Sequence, residues 1–107
     1  MPNRRISEVI GQRAFPSVRG STSVRDVAII MKEWYSSAIL IVENDLLVGI
    51  CTERDIVFRV VAAACDPAQL SVASVMTRKV QTIEADRPFG HALHLMYEGG
   101  FRHLPVV

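Results

Sequence analysis

The sequence predicts an α+β fold built from a tandem β-α-β-β-α repeat, in which small sheets are flanked by helices. Three observations lead to this prediction. Residues 15–42 and 80–107 align without a gap at an offset of 65 residues, so that Met31 falls on Met96. In each copy, apolar residues recur first with a helical period and then form a short run typical of a buried strand. Helix-capping and turn residues separate these segments.

The first copy contains the helix and the strand pair of the repeat. Hydroxyl residues at 21–23 precede an apolar helical stripe over residues 24–31 and predict its N-terminal cap. Residues 38–42 are short, apolar and rich in branched side chains, which is typical of a buried strand. The Asn-Asp pair at 44–45 is a turn signal, and residues 46–51 therefore return as a second strand paired with the first.

The final helix of the first copy sets the predicted domain boundaries. Thr52 caps a helix that is expected to run to about Ala64, because Asp66-Pro67 then ends it. The first repeat is accordingly assigned to residues 6–66, and a connecting segment with a short helix to residues 67–79. The second repeat, residues 80–107, is expected to be truncated after its first core strand.

Composition narrows the function classes. The chain has 107 residues, of which 50% are hydrophobic and 21% charged, as in a soluble globular domain. A net charge of +1 argues against a basic surface for nucleic acid. No apolar stretch approaches the ~20 residues that would span a membrane. Cys51 and Cys65 lie in apolar runs and are predicted to be small buried side chains in a reducing compartment, which indicates the cytoplasm.

Residues 49–55, with the sequence GICTERD, form the most informative stretch. They predict a strand that enters a helix N-terminus, where free backbone N–H groups and the helix dipole attract phosphate. Asp55 could accept hydrogen bonds from both hydroxyls of a ribose, and Thr52 could donate to a sugar or phosphate oxygen. The same spacing also fits a capping box, in which both side chains bind the helix's own N–H groups. Local spacing leaves both interpretations open.

A family resemblance bears on this choice. The sequence LVGI followed by TERDI at 52–56, and RHLPV at 102–106 in the second copy, resemble the motifs of the cystathionine beta-synthase (CBS) domain. The resemblance extends from about residue 6 to the end of the chain. It implies two repeats related by a pseudo-two-fold axis, with ligand clefts between them. It also implies a regulatory module without catalytic residues that senses AMP, ADP, ATP or S-adenosylmethionine and signals to a separate partner.

The resemblance further implies which residues contact this ligand. Acidic and hydroxyl side chains at the helix start would hold the sugar, backbone groups would face the adenine, and basic residues of the second repeat would reach the phosphates. These residues are Asp55 and Thr52, then Val18, Ser37 and Ala38, then Arg102 and His103, with Arg54 as a weaker phosphate candidate.

Enzymatic and metal-binding alternatives have little support in the sequence. There is no Gly-x-Ser-x-Gly elbow, Walker loop or Gly-x-Gly-x-x-Gly motif. Cys51 lies in an apolar strand, where a thiol is expected to be inert. His91 and His94 share a helical face near His103, but no cysteine or carboxylate cluster joins them, so no metal site is predicted.

The main alternative is a structural module that dimerises without binding a small molecule. Trp34, Tyr35 and Phe58 provide more apolar surface than one small unit easily covers. Burial in the core would account for them, but an interface would too. Members of the family pair through their helices, so the resemblance implies a homodimer with two-fold symmetry.

Overall fold

The computed structural model describes residues 15–78, which lie within one compact unit, Phe15–Lys79. The order of elements in this unit is the predicted β-α-β-β-α, and the mixed α+β fold class is confirmed. The elements are β1 (Ser17–Val18), α1 (Val24–Trp34), β2 (Ala38–Glu43), β3 (Leu46–Thr52), α2 (Glu53–Ile56) with a π-helical continuation (Val57–Val61), and a 3₁₀ turn (Val72–Ser74). The second repeat lies outside the described residues.

Helix α1 begins and ends as its sequence predicts. The Asp26 N–H donates to Ser23 Oγ at 3.1 Å, so a hydroxyl residue is the N-cap. At the other end Tyr35 adopts the left-handed conformation, with φ 49°, and its N–H bonds back to the last helical carbonyls. The buried face of α1 consists of Val24, Val27 and Met31.

The sheet has three strands in the order β1-β2-β3. β1 runs parallel to β2, with Val18 opposite Ile41. β2 and β3 form an antiparallel hairpin that begins with Ala38 opposite Thr52. Both residues of the predicted Asn-Asp turn are left-handed, with φ 49° and 63°, the combination that a tight hairpin requires.

The helix after β3 departs from its prediction. The sequence predicts one regular helix to about Ala64, but α2 makes a single α-turn and then widens into the π-helical segment Val57–Val61. Ala64, with φ 56°, terminates the helical path close to the predicted position. Cys65 therefore lies beyond the helix and is exposed, so its predicted burial is wrong, whereas Cys51 is buried as predicted.

The segment after this helix returns across β3. The Ile50 N–H donates to the Thr77 carbonyl at 3.0 Å, and the Thr77 N–H donates to the Ile50 carbonyl at 2.8 Å. Gly49 is necessary at this crossing, because a Cβ there would lie 2.5 Å from Met76 Sδ and 3.1 Å from the Thr77 carbonyl oxygen. The returning segment thus completes the main core, whose buried members are Val27, Met31, Ile39, Ile41, Cys51, Val72 and Met76.

Across residues 15–78, no helix has the length and apolar character needed to cross a membrane.

Candidate ligand-binding site

Four of the predicted ligand residues come together at one end of the β2–β3 hairpin. Ala38 and Thr52 are direct cross-strand partners at that end. The Glu53 N–H donates to the Ser37 carbonyl at 3.0 Å, which joins the residue before β2 to the first residue of α2. Asp55 lies one turn into the same helix. The hairpin register therefore gathers residues that are 15 or more positions apart in the sequence.

The Asp55 carboxylate caps its own helix with one oxygen. Asp55 Oδ2 accepts the Thr52 N–H at 2.9 Å and lies 3.3 Å from Thr52 Oγ1. In return, the Asp55 N–H donates to Thr52 Oγ1 at 3.3 Å. These contacts form a complete capping box, one of the two arrangements that the sequence left open.

The other carboxylate oxygen makes contacts beyond the helix start. The Thr77 hydroxyl donates to Asp55 Oδ1 at 3.3 Å, and Arg59 Nε lies 3.8 Å from the same oxygen. The residue is only 8% exposed, so its charge is withdrawn from most of the solvent. A buried carboxylate is stable only when such donors surround it. Asp55 thereby connects the start of α2 with the returning segment.

Arg59 ties the π-helical segment to that returning segment. Its Nη1 donates to the carbonyls of Val75 at 3.0 Å and Met76 at 3.2 Å. The guanidinium therefore satisfies two backbone acceptors while it approaches Asp55. Wide π-helical turns are rare and frequently lie at functional sites, and this one places the guanidinium beside the predicted ribose carboxylate.

A cleft of about 490 Å³ lies beside this polar cluster. Its lining is mainly apolar, with a few polar groups at Lys32, Ser37 and Glu53. Such a mixture suits a flat aromatic group held by a small number of oriented polar contacts. The described lining residues are Ala28, Met31, Lys32, Tyr35, Ser36, Ser37, Glu53, Ile56 and Val57.

The backbone beside the cleft is already engaged. Ser36 Oγ donates to the Ala38 carbonyl at 2.6 Å and lies 3.4 Å from the Ala38 nitrogen. Ala38 itself is buried, so only its backbone could face a ligand. A carbonyl oxygen has two lone pairs, and the Ala38 carbonyl therefore retains acceptor capacity.

The remaining predicted residues are placed differently. Val18 pairs with Ile41, three residues along β2 from Ala38, which corresponds to about 10 Å of strand. The Arg54 guanidinium carbon lies 5.1 Å from the centre of the Phe58 ring, on the exposed side of α2. Arg102 and His103 lie outside the described residues, as do His91 and His94.

Cys51, directly before the cap, is not a nucleophile. Burial, with a smaller contribution from the negative charge of Asp55, raises the pKa of the Cys51 thiol to about 12, and the nearby Arg59 charge only partly opposes this. The thiol is therefore protonated at neutral pH, as expected from its apolar strand.

The sequence prediction did not include Arg59 and Thr77. Arg59 was accessible to sequence reasoning, since an acidic residue followed four positions later by Arg is a favourable pair on a helix. Thr77 had no such signal, because it is 22 residues from Asp55 and meets it only through the path of the returning segment.

Comparison with known proteins identifies the family. The sequence model of the CBS domain matches residues 6–62 and 72–107. The chain belongs to the CBS domain family. It is 42% identical, over 89 residues, to a CBS domain-containing protein of Arabidopsis thaliana; the match covers 83% of this chain and only 16% of that protein.

Solved structures agree with this membership. A protein with CBS domains from Burkholderia ambifaria superimposes with a TM-score of 0.90 at 28% identity, covering 97% of this chain and 80% of that one. A CBS domain protein from Pyrobaculum aerophilum, complexed with AMP, has a TM-score of 0.86 at 23% identity, covering 97% and 79%. At that identity the second likeness establishes the shared fold.

Proposed function

We propose that this chain is a regulatory, non-catalytic module that binds an adenosine nucleotide or S-adenosylmethionine and signals to a partner protein. The observation that carries this proposal is the gathering of Ser37, Ala38, Thr52 and Asp55 at one end of the hairpin, beside a mainly apolar cleft. These are the residues to which the family resemblance assigns the ribose and the adenine.

The chemistry of the cluster supports a sugar-bearing ligand. Asp55 and Thr52 together offer two carboxylate oxygens and a hydroxyl, which is the set of groups that binds vicinal ribose hydroxyls in nucleotide sites. The neighbouring cleft offers apolar surface for the base and the backbone acceptor of Ala38 for its amino group. Phosphate contacts are assigned to Arg102 and His103 on the basis of the sequence alone.

The comparisons also favour adenosine ligands. A family member with the same fold is complexed with AMP. Because the chain spans only 16% of the length of its Arabidopsis relative, the partner that would receive the signal is a separate part of the proposal. AMP is accordingly the first ligand to test, followed by ADP, ATP and S-adenosylmethionine.

Thermal unfolding with each candidate ligand tests the proposal. A ligand at 100 times its dissociation constant adds ~2.7 kcal/mol to the unfolding free energy. For a domain of this size, that raises the melting midpoint by several degrees, at roughly 4–8 °C per kcal/mol. We expect such a rise with at least one of the four ligands. No rise with any of them at millimolar concentration would contradict the proposal.

Substitutions at the helix starts then locate the site. Asp55→Asn keeps one acceptor oxygen for the helix cap but removes the charge and one oxygen, so we expect at least tenfold weaker AMP binding. Asp26→Ala is the matched control, because Asp26 occupies the equivalent position in α1 and is exposed. Unchanged affinity in Asp55→Asn would show that Asp55 is only a helix cap.

A second function, self-association, is favoured by exposed apolar side chains on the two helices. Tyr35 is 96% exposed, and Trp34, Val57, Phe58 and Val61 are each about half exposed or more. Burial of such groups stabilises interfaces, in which aromatic residues are enriched. We propose that these side chains form the interface of a homodimer.

Light scattering tests the dimer. We expect the parent chain to have a mass of two chains at micromolar concentration, and Phe58→Ser to shift the mass towards one chain. Leu46→Ser is the control, since Leu46 is 68% exposed but lies at the hairpin turn. A parent mass of one chain, or equal effects of the two substitutions, would contradict a helical interface.

A further inference from the structure

Thr77 is the residue through which the returning segment reaches the candidate ribose carboxylate. It belongs neither to the GICTERD stretch nor to the residues that the family resemblance assigns to the ligand. Its hydroxyl donates to Asp55 Oδ1 at 3.3 Å. The question is what happens to this hydrogen bond when a ribose approaches the same carboxylate.

The acceptor capacity of Asp55 decides the question. An ionised carboxylate has about four lone-pair sites, two on each oxygen. Oδ2 faces the N–H and the hydroxyl of Thr52, and Oδ1 faces the Thr77 hydroxyl and Arg59 Nε. All four directions therefore already have a donor. A ribose that presents two hydroxyls must replace at least one of them.

The four donors are not equally replaceable. The Thr52 N–H bond is short, at 2.9 Å, and its loss would leave a helix N-terminus uncapped. Arg59 is held by two backbone carbonyls, independently of Asp55. The Thr77 hydroxyl is attached to a side chain that can rotate, and its bond is longer, at 3.3 Å. It is the donor whose replacement disturbs least of the fold.

The backbone of Thr77 does not depend on that hydroxyl. Two hydrogen bonds with Ile50, at 3.0 and 2.8 Å, fix the residue against β3. The Thr77 side chain can therefore release Asp55 while the main chain stays in place. For the same reason, a substitution that removes only the hydroxyl is expected to leave the unit folded.

We infer that the Thr77 hydroxyl competes with the ligand's ribose for Asp55 Oδ1, so that Thr77 sets the affinity of the site. This inference rests on the proposed nucleotide-binding function and adds a residue to it. Ligand binding would exchange a hydrogen bond within the protein for one to the ribose. The exchange would also free the Thr77 side chain on the segment that follows the first repeat.

Calorimetric titration with AMP tests the competition. Thr77→Val removes the hydroxyl and keeps the branched shape, so AMP is expected to bind about fivefold more tightly, the equivalent of one hydrogen bond. Thr77→Ala should also bind more tightly. Thr77→Ser retains a hydroxyl and is the matched control, with an affinity within about twofold of the parent. Melting curves without ligand check that each variant is folded.

A comparison with 2′-deoxy-AMP separates competition from a general structural effect. This ligand presents one sugar hydroxyl fewer, so it and Thr77 can share the carboxylate, and the gain in Thr77→Val should be smaller than for AMP. If the parent binds AMP and Thr77→Val binds it equally or more weakly, the competition is refuted and the proposed function stands. If neither chain binds AMP, the proposed function fails, and the competition for AMP fails with it.

Discussion

The two helix starts of the described unit share a local sequence pattern but differ in structure. Both have a hydroxyl residue followed three positions later by an aspartate, Ser23 with Asp26 and Thr52 with Asp55. In both, the hydroxyl oxygen accepts the N–H of the aspartate, at 3.1 and 3.3 Å. Asp26 is exposed, whereas Asp55 is buried and also contacts Thr77 and Arg59.

The difference shows how a local motif becomes a candidate binding site. The N-terminal cap is a short-range arrangement, so the sequence determines it equally well at both helices. The burial of Asp55 comes from the returning segment, which crosses β3 and brings Thr77 to the start of α2. Only the second aspartate is therefore part of a long-range polar cluster that a ligand could enter.

The largest expected effect is on stability, from removal of the two aspartates. Asp55→Ala leaves several buried or half-buried donors without an acceptor, so we expect it to lower the unfolding free energy by about 2–3 kcal/mol. Asp26→Ala is expected to change it by less than about 0.5 kcal/mol, as for an exposed side chain. Urea unfolding of the two variants measures the difference. Equal losses would show that the contacts with Thr77 and Arg59 add nothing to the cap.

Removal of the two capping hydroxyls should have a smaller effect. Thr52→Ala and Ser23→Ala each delete one cap, which costs about 1 kcal/mol. Thr52→Ala should cost more, up to about 2 kcal/mol, because its hydroxyl also contacts Asp55 Oδ2. The same urea titrations test this order. A larger loss in Ser23→Ala would reverse the comparison.

The smallest expected effect concerns the accessibility of the residue before the second cap. Cys51 is buried, and its raised pKa keeps the thiol protonated, whereas Cys65 is exposed. Iodoacetamide at pH 8 should therefore modify Cys65 and leave Cys51 unmodified in the folded chain, as measured by peptide mass spectrometry. Rapid modification of Cys51 would indicate that the start of α2 opens readily. In urea, both thiols should react.

The raised pKa of Cys51 also has a sign for pH dependence. Because folding favours the neutral thiol, its contribution to stability is complete below the ordinary pKa of a cysteine and is lost as the pH rises towards about 12. Cys51→Ala should remove this part of the decline in alkaline solution. An unchanged slope above pH 9 in that variant would contradict a buried, protonated Cys51.

The polar and apolar parts of the described unit also differ in how completely they are satisfied. Within residues 15–78, no fully buried side-chain nitrogen or oxygen lacks a hydrogen-bond partner. Yet several large apolar side chains of the two helices are exposed, among them Trp34 and Phe58. The polar atoms are thus paired inside the unit, while part of its apolar surface is available for association, as the sequence suggested.

Periodicity predicted the helices and strands, but two details required long-range information. The sequence indicated a regular helix after Thr52, because apolar spacing alone does not distinguish an α-turn from the wider π-turn of Val57–Val61. It also placed Cys65 in the core, because an apolar run does not reveal that the chain turns away at Ala64. The fold class, the hairpin and both N-caps were predicted, since short-range patterns encode them.

The sequence by itself determined the CBS family, the repeat, the order of elements and the Thr52–Asp55 pair. It also marked Gly49 as part of a motif, without the reason for a glycine. Tertiary structure alone decided that the returning segment packs on β3, with Met76 where a Cβ of Gly49 would be. It also decided that Thr77 reaches Asp55. Caps and strands arise from neighbours in the chain, whereas these contacts join residues more than 20 positions apart, whose meeting depends on the whole path of the backbone.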